Sequence, residues 1–247
     1  MEHLLTIQYH VFGLVSVLCC FIILTGMRKQ YAFIQNRRHQ KLRNPTDKIR
    51  IDRFIWGNLL IFSFLIYGVC INDFDHYIVW TSWAYALGMF MILKEVKKDR
   101  RNLATTLTYH STIIALTLSL AVTALGLAWQ EFTLVFGIAR DSTFNIGAFA
   151  VIGAIFLTKS YTLQALDIYR SRTIGGTAKN AHQLMLLRDA FMMAFSMIVG
   201  YLISVEIAAP IFLVNFLTSI GNLGIILAIN HCEAESANTQ LATQIKI

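Results

Sequence analysis

Long apolar runs separated by clusters of charge constrain the fold of this chain more than any other feature. Seven such runs lie at 9–27, 54–72, 77–93, 109–129, 144–163, 190–205 and 207–229. Only 14% of the 247 residues are charged, whereas soluble domains are about 25% charged. Continuous runs near 20 residues are typical of membrane-spanning helices and unlike the alternating strands of a β-barrel. We therefore predict an all-α membrane protein with seven transmembrane helices.

The positions of the basic residues predict the orientation of these helices. Nine Lys and Arg lie between the first and second runs, five between the third and fourth, and five in the connection from the fifth to the sixth. The alternate connections hold Arg140 together with acidic residues, namely Asp73, Asp75, Glu131, Asp141 and Glu206. Because cytoplasmic loops are enriched in Lys and Arg, we expect the amino terminus outside and the carboxyl terminus inside. The same bias accounts for the net charge of +7 without a nucleic-acid-binding surface.

The chain is predicted to form one domain. Residues 1–231 make up the seven-helix transmembrane domain, and residues 232–247 are polar and predicted to be a disordered cytoplasmic tail. The first run is predicted to be retained, since residues 1–8 lack the basic residues of a signal peptide. The apolar piece 132–138 is too short to span and predicts an external loop. A turn is expected at Gly175 and Gly176, after a fifth helix that continues beyond its apolar run. No internal repeat is visible.

Catalytic groups are scarce. The central turns of every run except the third lack Asp, Glu, Lys and Arg, and no nucleophile motif, phosphate loop, carboxylate pair or Cys/His metal spacing occurs. Four histidines lie near the ends of runs, at both faces of the membrane: His10, His76, His110 and His231. Because they lie at opposite faces, they cannot converge on one metal or haem. Asp73, Asp75 and His76 favour a solvated loop over a proton or cation entry site. We predict no enzymatic activity and no metal site.

Neutral polar residues are more numerous inside the runs. Asn215, Ser219 and Asn222 recur at spacings of four and three, which places them on one face of the seventh helix. That face is expected to meet Thr81 and Ser82 of the third helix. Such residues most often make hydrogen bonds between packed helices, and the alternative is that they line a ligand pocket.

Short motifs in several of the helices resemble the microbial rhodopsin family. Residues 76–80, His-Tyr-Ile-Val-Trp, followed by Thr81 and Ser82, are similar to the family's Arg-Tyr-x-Asp-Trp at the start of its third helix. Residues 215–219, Asn-Phe-Leu-Thr-Ser, are similar to its Asp-x-x-x-Lys in the seventh helix. Residues 187–189 and 195–196 resemble the family's Leu-Arg-Asn and Trp-Ser in helix six. The resemblance covers about a quarter of the chain and implies a rhodopsin-like bundle.

The departures from the family pattern fall on its functional positions. Ser219 replaces the lysine that binds retinal, Val79 the primary counterion, Asn215 the secondary one, Phe90 the proton donor and His76 the gating arginine. Because a buried charge without a partner is costly, loss of the lysine and both counterions together leaves a neutral interior. The resemblance thus implies a lysine-less relative that holds no covalent retinal and pumps no ions.

Three functions follow as hypotheses. The first is an accessory or sensory membrane protein, or one that binds a carotenoid or retinoid non-covalently. Its pocket residues would be Tyr77, Trp80, Thr81, Trp83, Phe195, Tyr201, Asn215 and Ser219. The second is a small-solute transporter or channel, and the third is a structural subunit of a larger membrane complex. The expected partners are the lipid bilayer, further copies of the chain or other membrane subunits, and the expected location is a bacterial inner (plasma) membrane.

Overall fold

Seven helices make up the described part of the protein. The computed structural model describes residues 2–70, 76–128, 140–202 and 204–244, in which no strand occurs. In chain order the helices are α1 (Glu2–His39), α2 (Asp52–Cys70), α3 (His76–Asp99), α4 (Leu103–Ala128), α5 (Arg140–Ser171), α6 (Lys179–Leu202) and α7 (Val205–Gln244). The predicted all-α class is confirmed. The predicted loop at 132–138, Asp73 and Asp75 lie outside the described residues.

Six of these helices are long and apolar enough to cross a membrane. The exception is α3, which carries polar groups at Thr81, Ser82 and Tyr85 and ends in a charged segment. Large apolar side chains point outward along the bundle, as at Leu103, Ile114 and other positions of α4. Because this surface is apolar where a soluble protein would be charged, it is a surface for lipid. The protein is an integral membrane protein.

Two groups of three helices share one packing pattern. In the first half α3 packs against both α1 and α2, and in the second half α7 packs against both α5 and α6. Across the interface α1 packs on α6 and α2 packs on α5. If α1, α2 and α3 are equivalent to α5, α6 and α7, the contact of α1 with α6 is equivalent to the contact of α5 with α2. This is the pattern expected for two parallel repeats related by a two-fold axis along the membrane normal. This repeat is invisible in the sequence. The connecting helix α4 packs against α2 and α3.

The helix ends are set by local side-chain chemistry. Asn102 caps α4 by accepting a hydrogen bond from the Thr105 amide at 2.8 Å. The connection between α5 and α6 turns at Gly175, whose φ of 60° is in the left-handed region that favours glycine. At the end of α3 the buried Glu95 accepts hydrogen bonds from Arg38 and from Lys98, the latter at 2.7 Å. The end of the bundle formed by residues 40–51, 100–102 and 172–178 is called the basic end below.

Three predicted helix boundaries differ from the structure by more than ten residues. The first helix was expected to end at residue 27 but continues to His39. The sixth helix was expected at 190–205 but begins at Lys179, so residues 179–189 are helical instead of loop. The seventh continues to Gln244, through residues for which composition predicts disorder. The continuation is packed where it leaves the apolar run, because Cys232 is buried and Glu233 pairs with Lys179 at 2.6 Å. As predicted, α5 extends beyond its apolar run, to Ser171.

Candidate functional site

A cluster of buried polar side chains lies between the two halves. It is called the central polar cluster and consists of the buried residues Arg53, Tyr85, Tyr161, His182, Asp189, Thr218 and Asn222 and the half-buried Arg188. The first half contributes residues from α2 and α3, and the second half contributes residues from α5, α6 and α7. Polar groups are costly inside a membrane protein unless they pair with one another, so their concentration at one interface marks a functional site.

Asp189 is the most heavily bonded member of the cluster. Its side chain is 1% exposed and accepts three hydrogen bonds: from Arg188 at 2.6 Å, from the Thr218 hydroxyl at 3.0 Å and from the Asn222 amide at 3.2 Å. Because both carboxylate oxygens are used, Asp189 fixes the arrangement of α6 against α7. A buried carboxylate requires such partners.

The bonding of Asn222 determines the tautomer of His182. Since the Asn222 nitrogen donates to Asp189, its oxygen faces His182, and the separation from Nδ1 is 2.8 Å. A carbonyl oxygen only accepts, so Nδ1 of His182 must carry the proton. The other ring nitrogen, Nε2, is then an acceptor, and it is buried without a partner. Polar atoms of this kind are available to a ligand or to water.

Two tyrosines join the halves at the centre of the cluster. The hydroxyls of Tyr85 on α3 and Tyr161 on α5 lie 3.1 Å apart. The guanidinium of Arg188 lies 5.7 Å from the Tyr85 ring centre, and that of Arg53 lies 5.6 Å from the Tyr161 ring centre. The Tyr161 ring also contacts His182 edge to face at 5.9 Å. Each arginine is thus placed over an aromatic face that favours cations.

A small cavity adjoins the cluster. Its volume is about 30 Å³, and it is lined by residues of α2, α3, α6 and α7, among them Phe64, Ser82, Tyr85, Asp189 and Asn222. A cavity of this size holds a water molecule, whereas ligand pockets measure about 300–1,000 Å³. In this conformation the cavity itself is therefore too small for a solute.

Contacts between the halves close the basic end. The Gln30 side chain of α1 donates to the carbonyl oxygen of Gly176 and accepts from the Ala178 amide at 2.8 Å. The Ser160 hydroxyl donates to Asp52 at 2.9 Å, and the Gly176 amide donates to the Asp47 carbonyl at 2.6 Å. These are hydrogen bonds rather than apolar contacts, so they can be exchanged for bonds to water when the end opens.

The opposite end is closed by aromatic and backbone contacts. The ring of Phe195 on α6 lies 5.9 Å from that of Tyr9 and 6.0 Å from that of Tyr77. The Tyr67 hydroxyl of α2 donates to the Ile207 carbonyl of α7. Gly147 allows a close approach there, because a Cβ at this position would lie 2.6 Å from Cγ of Pro210. Access to the cavity from this side therefore requires the halves to separate.

The structure brings together only part of the predicted pocket. Tyr77 and Phe195 are in contact, and Ser82 and Asn222 line one cavity, as expected for the facing sides of the third and seventh helices. Trp80 and Tyr201 are 44% and 80% exposed and face outward, so they line no common pocket with the others.

The remaining predicted residues make local contacts. Thr81 and Ser219 bond to carbonyls of their own helices, Asn215 is buried and donates to Ile211, and Trp83 donates to Thr123 of α4 at 3.0 Å. Thr218 rather than Ser219 faces the cavity. Among the positions matched to rhodopsin, Val79 is buried in an apolar cluster, Phe90 stacks on Tyr109 and His76 is exposed at the start of α3.

Three charged members of the cluster were assigned to loops by sequence. Arg53, Arg188 and Asp189 flank apolar runs and were counted as loop residues or outside the spans. The signal that identifies them is periodicity: His182, Met185, Asp189, Met192 and Phe195 are buried at spacings of three and four along α6. This spacing places Asp189 on the inner face of a helix that begins well before the apolar run.

Comparison with known proteins gives a fold and no family. No family model matches the chain, and no curated protein matches it significantly. A solved structure of a eukaryotic SWEET transporter matches with a TM-score of 0.53 at 14% identity, over 89% of this chain and 99% of that chain. The chain has the fold of a SWEET transporter.

This match corrects the resemblance to microbial rhodopsins, which is wrong. The rhodopsin motifs are short, and their residues do not converge here: Ser219 bonds within α7, and Trp80 points away from the helix interface. The neutral interior at Val79 and Asn215 is therefore ordinary helix packing and not the remnant of a retinal site. The polar chemistry lies elsewhere, in the central polar cluster.

Proposed function

We propose that the protein is a transporter of a small solute, with the central polar cluster as its binding site. The observation that carries the proposal is the position of the cluster. It lies between two repeated halves, next to a cavity of about 30 Å³ that residues of both halves line. The SWEET-transporter fold supports the same function. Sites at the interface of two repeats are where transporters bind their solutes.

Transport would proceed by alternate separation of the halves at their two ends. The contacts that close each end join one half to the other, so each end can open while the second stays shut. The enrichment of Lys and Arg supports a cytoplasmic location for the basic end. The hydroxyl pair of Tyr85 and Tyr161 lies between the cavity and Arg53, which makes it the inner barrier.

Uptake by proteoliposomes tests the proposal. The purified chain is reconstituted and assayed with a panel of labelled small solutes, with protein-free vesicles as the blank. Asn222→Leu is expected to abolish uptake of any transported solute, because it removes the bonds to both His182 and Asp189. Ser219→Ala, on the same helix but outside the cavity, is the matched control and should keep wild-type uptake. Absence of uptake for every solute, or equal uptake by both variants, would refute the proposal.

The other sequence hypotheses stay predictions. These are a non-covalent carotenoid or retinoid, assembly into oligomers or with other membrane subunits, a bacterial inner membrane location and the lack of enzymatic activity. The predicted carotenoid or retinoid was inferred from the resemblance to rhodopsins, which is wrong, so no observation now supports it.

A further inference from the structure

The charges of the central polar cluster do not balance. It contains two arginines, Arg53 and Arg188, and one carboxylate, Asp189, which is bonded to Arg188. Arg53 is 3% exposed, and its Nε and NH1 atoms are buried without a hydrogen-bond partner. Its recorded contacts are with the faces of the Phe54 and Tyr161 rings. A buried guanidinium with unpaired donors is costly in a membrane protein.

The acidic residues around Arg53 are already engaged. Asp52, its neighbour in sequence, accepts hydrogen bonds from Arg50 and Ser160, and Asp167 faces Arg50. At the end of α3, Glu95 is bonded to basic partners of its own. Among the residues that the structure describes, no carboxylate is therefore assigned to Arg53. The positive charge of Arg53 is thus not compensated by any carboxylate of the described residues.

Arg53 lies on the route between the cavity and the basic end. It contacts the ring of Tyr161, whose hydroxyl meets that of Tyr85, and Tyr85 lines the cavity. Arg53 belongs to the first half and Tyr161 to the second, so separation of the halves at the basic end would expose the guanidinium to the passage. A solute entering or leaving at that end would pass its unpaired donors.

We propose that the transported solute carries a carboxylate group and that Arg53 binds this group. The inference rests on the proposed transport function and specifies the solute class. An entering carboxylate would supply the missing negative charge and accept the free N–H groups of Arg53. The guanidinium suits this role, because its planar fork of N–H donors matches the two oxygens of a carboxylate. A neutral solute would leave the buried charge unpaired.

Solutes with and without a carboxylate test the proposal, and one pair among them is matched in shape. Proteoliposomes are assayed with lactate against its neutral isostere lactamide, and with succinate and glutamate against glycerol and glucose. At least one carboxylate is expected to be taken up, and its neutral counterpart is not. Arg53→Gln should reduce carboxylate uptake about tenfold or more, as expected for loss of a charge-assisted hydrogen bond. Arg53→Lys, which keeps the charge, should retain more uptake than Arg53→Gln, and Arg28→Gln, an exposed position of α1, should equal wild type.

The outcomes separate this inference from the transport proposal. Uptake of neutral solutes that carboxylates do not inhibit would overturn the inference and leave transport standing. Unchanged carboxylate uptake by a monodisperse Arg53→Gln variant would also overturn it. If no solute of either kind is taken up, the transport function fails and the inference fails with it. Size-exclusion profiles and melting temperatures of the variants establish that each is folded.

Discussion

Removal of the Asp189 carboxylate should strongly lower the free energy of unfolding. Most of the decrease should come from one of its hydrogen-bond partners, Arg188, which is left unpaired. In Asp189→Ala the Thr218 hydroxyl can turn its one proton to the Val214 carbonyl oxygen, 3.0 Å away, and the Asn222 amide keeps its bond to the Thr218 carbonyl at 3.0 Å. Arg188 has no such alternative, because its side chain is 15% exposed and Asp189 is its ion-pair partner. Leaving one member of a buried ion pair alone costs about 3–5 kcal/mol.

Thermal unfolding in detergent measures this loss. For a chain of this length each kcal/mol corresponds to about 2–4 °C, so the melting temperature should fall by roughly 6–20 °C. The double variant Arg188→Met/Asp189→Ala removes both charges, so its melting temperature should return most of the way to that of the wild type. Asp167→Ala is the control, since that carboxylate is 49% exposed and 3.5 Å from Arg50, and exposed pairs contribute at most about 1 kcal/mol. A single variant within about 1 kcal/mol of wild type, or a double variant no more stable than the single, would refute the reasoning.

Three further predictions concern the turn, the inner barrier and acid stability. Gly175→Ala should cost more than about 1–2 kcal/mol in thermal unfolding, because a φ of 60° alone costs that much for a residue with a Cβ and the Cβ would also lie 2.5 Å from the Asp47 carbonyl oxygen. Gly224→Ala, whose Cβ would meet a methyl at 3.9 Å, should not destabilise the protein. Tyr161→Phe removes the hydrogen bond to Tyr85 between the halves, which is worth about 1 kcal/mol. Maleimide labelling of Ser82→Cys in a cysteine-free background should therefore become about fivefold faster. An unchanged labelling rate would show that the Tyr85–Tyr161 pair is not a barrier to the cavity. Burial of Glu95, beyond the apolar run of α3, raises its pKa, but hydrogen bonds from its two basic partners outweigh burial and hold the pKa below its ordinary value. The resulting stability is present above about pH 4.3 and lost as pH falls through the lower folded pKa, and a Glu95→Gln variant should lack this dependence in pH-dependent melting.

Hydropathy predicts the helices and misplaces the site for the same reason. A run of apolar residues locates a span, so α2 and α4 were located to within a few residues except at the start of α4. The same criterion ends a span at the first charge, and it therefore cut α6 at Asp189 and left Arg53 in a loop. Burial of a charge depends on partners from other helices, such as Thr218 and Asn222 for Asp189. Those partners are not visible along one segment of sequence.

The packing of the two halves against each other could not be predicted from the sequence either. Equivalent helices share packing neighbours without sharing recognisable residues, so the contacts of α1 with α6 and of α2 with α5 leave no repeated motif. The rhodopsin resemblance failed for a related reason. Trp80 and Ser219 match a motif by spacing, but the spacing does not say which side of the helix faces a neighbour. The face is decided by packing, and packing depends on the whole fold.

The helix α4 bears on the direction in which the two halves cross the membrane. A unit with three crossings begins on one side of the bilayer and ends on the other, so two such units joined directly insert with opposite polarity. If each half crosses the bilayer three times, one additional crossing by α4 returns the chain to the starting side, and both halves run in the same direction. This task demands length and hydropathy from α4 but few particular side chains, and only 22% of its apolar window is buried. Most positions of α4 therefore contact lipid instead of protein, whereas α3 and α7 pack at the centres of the halves.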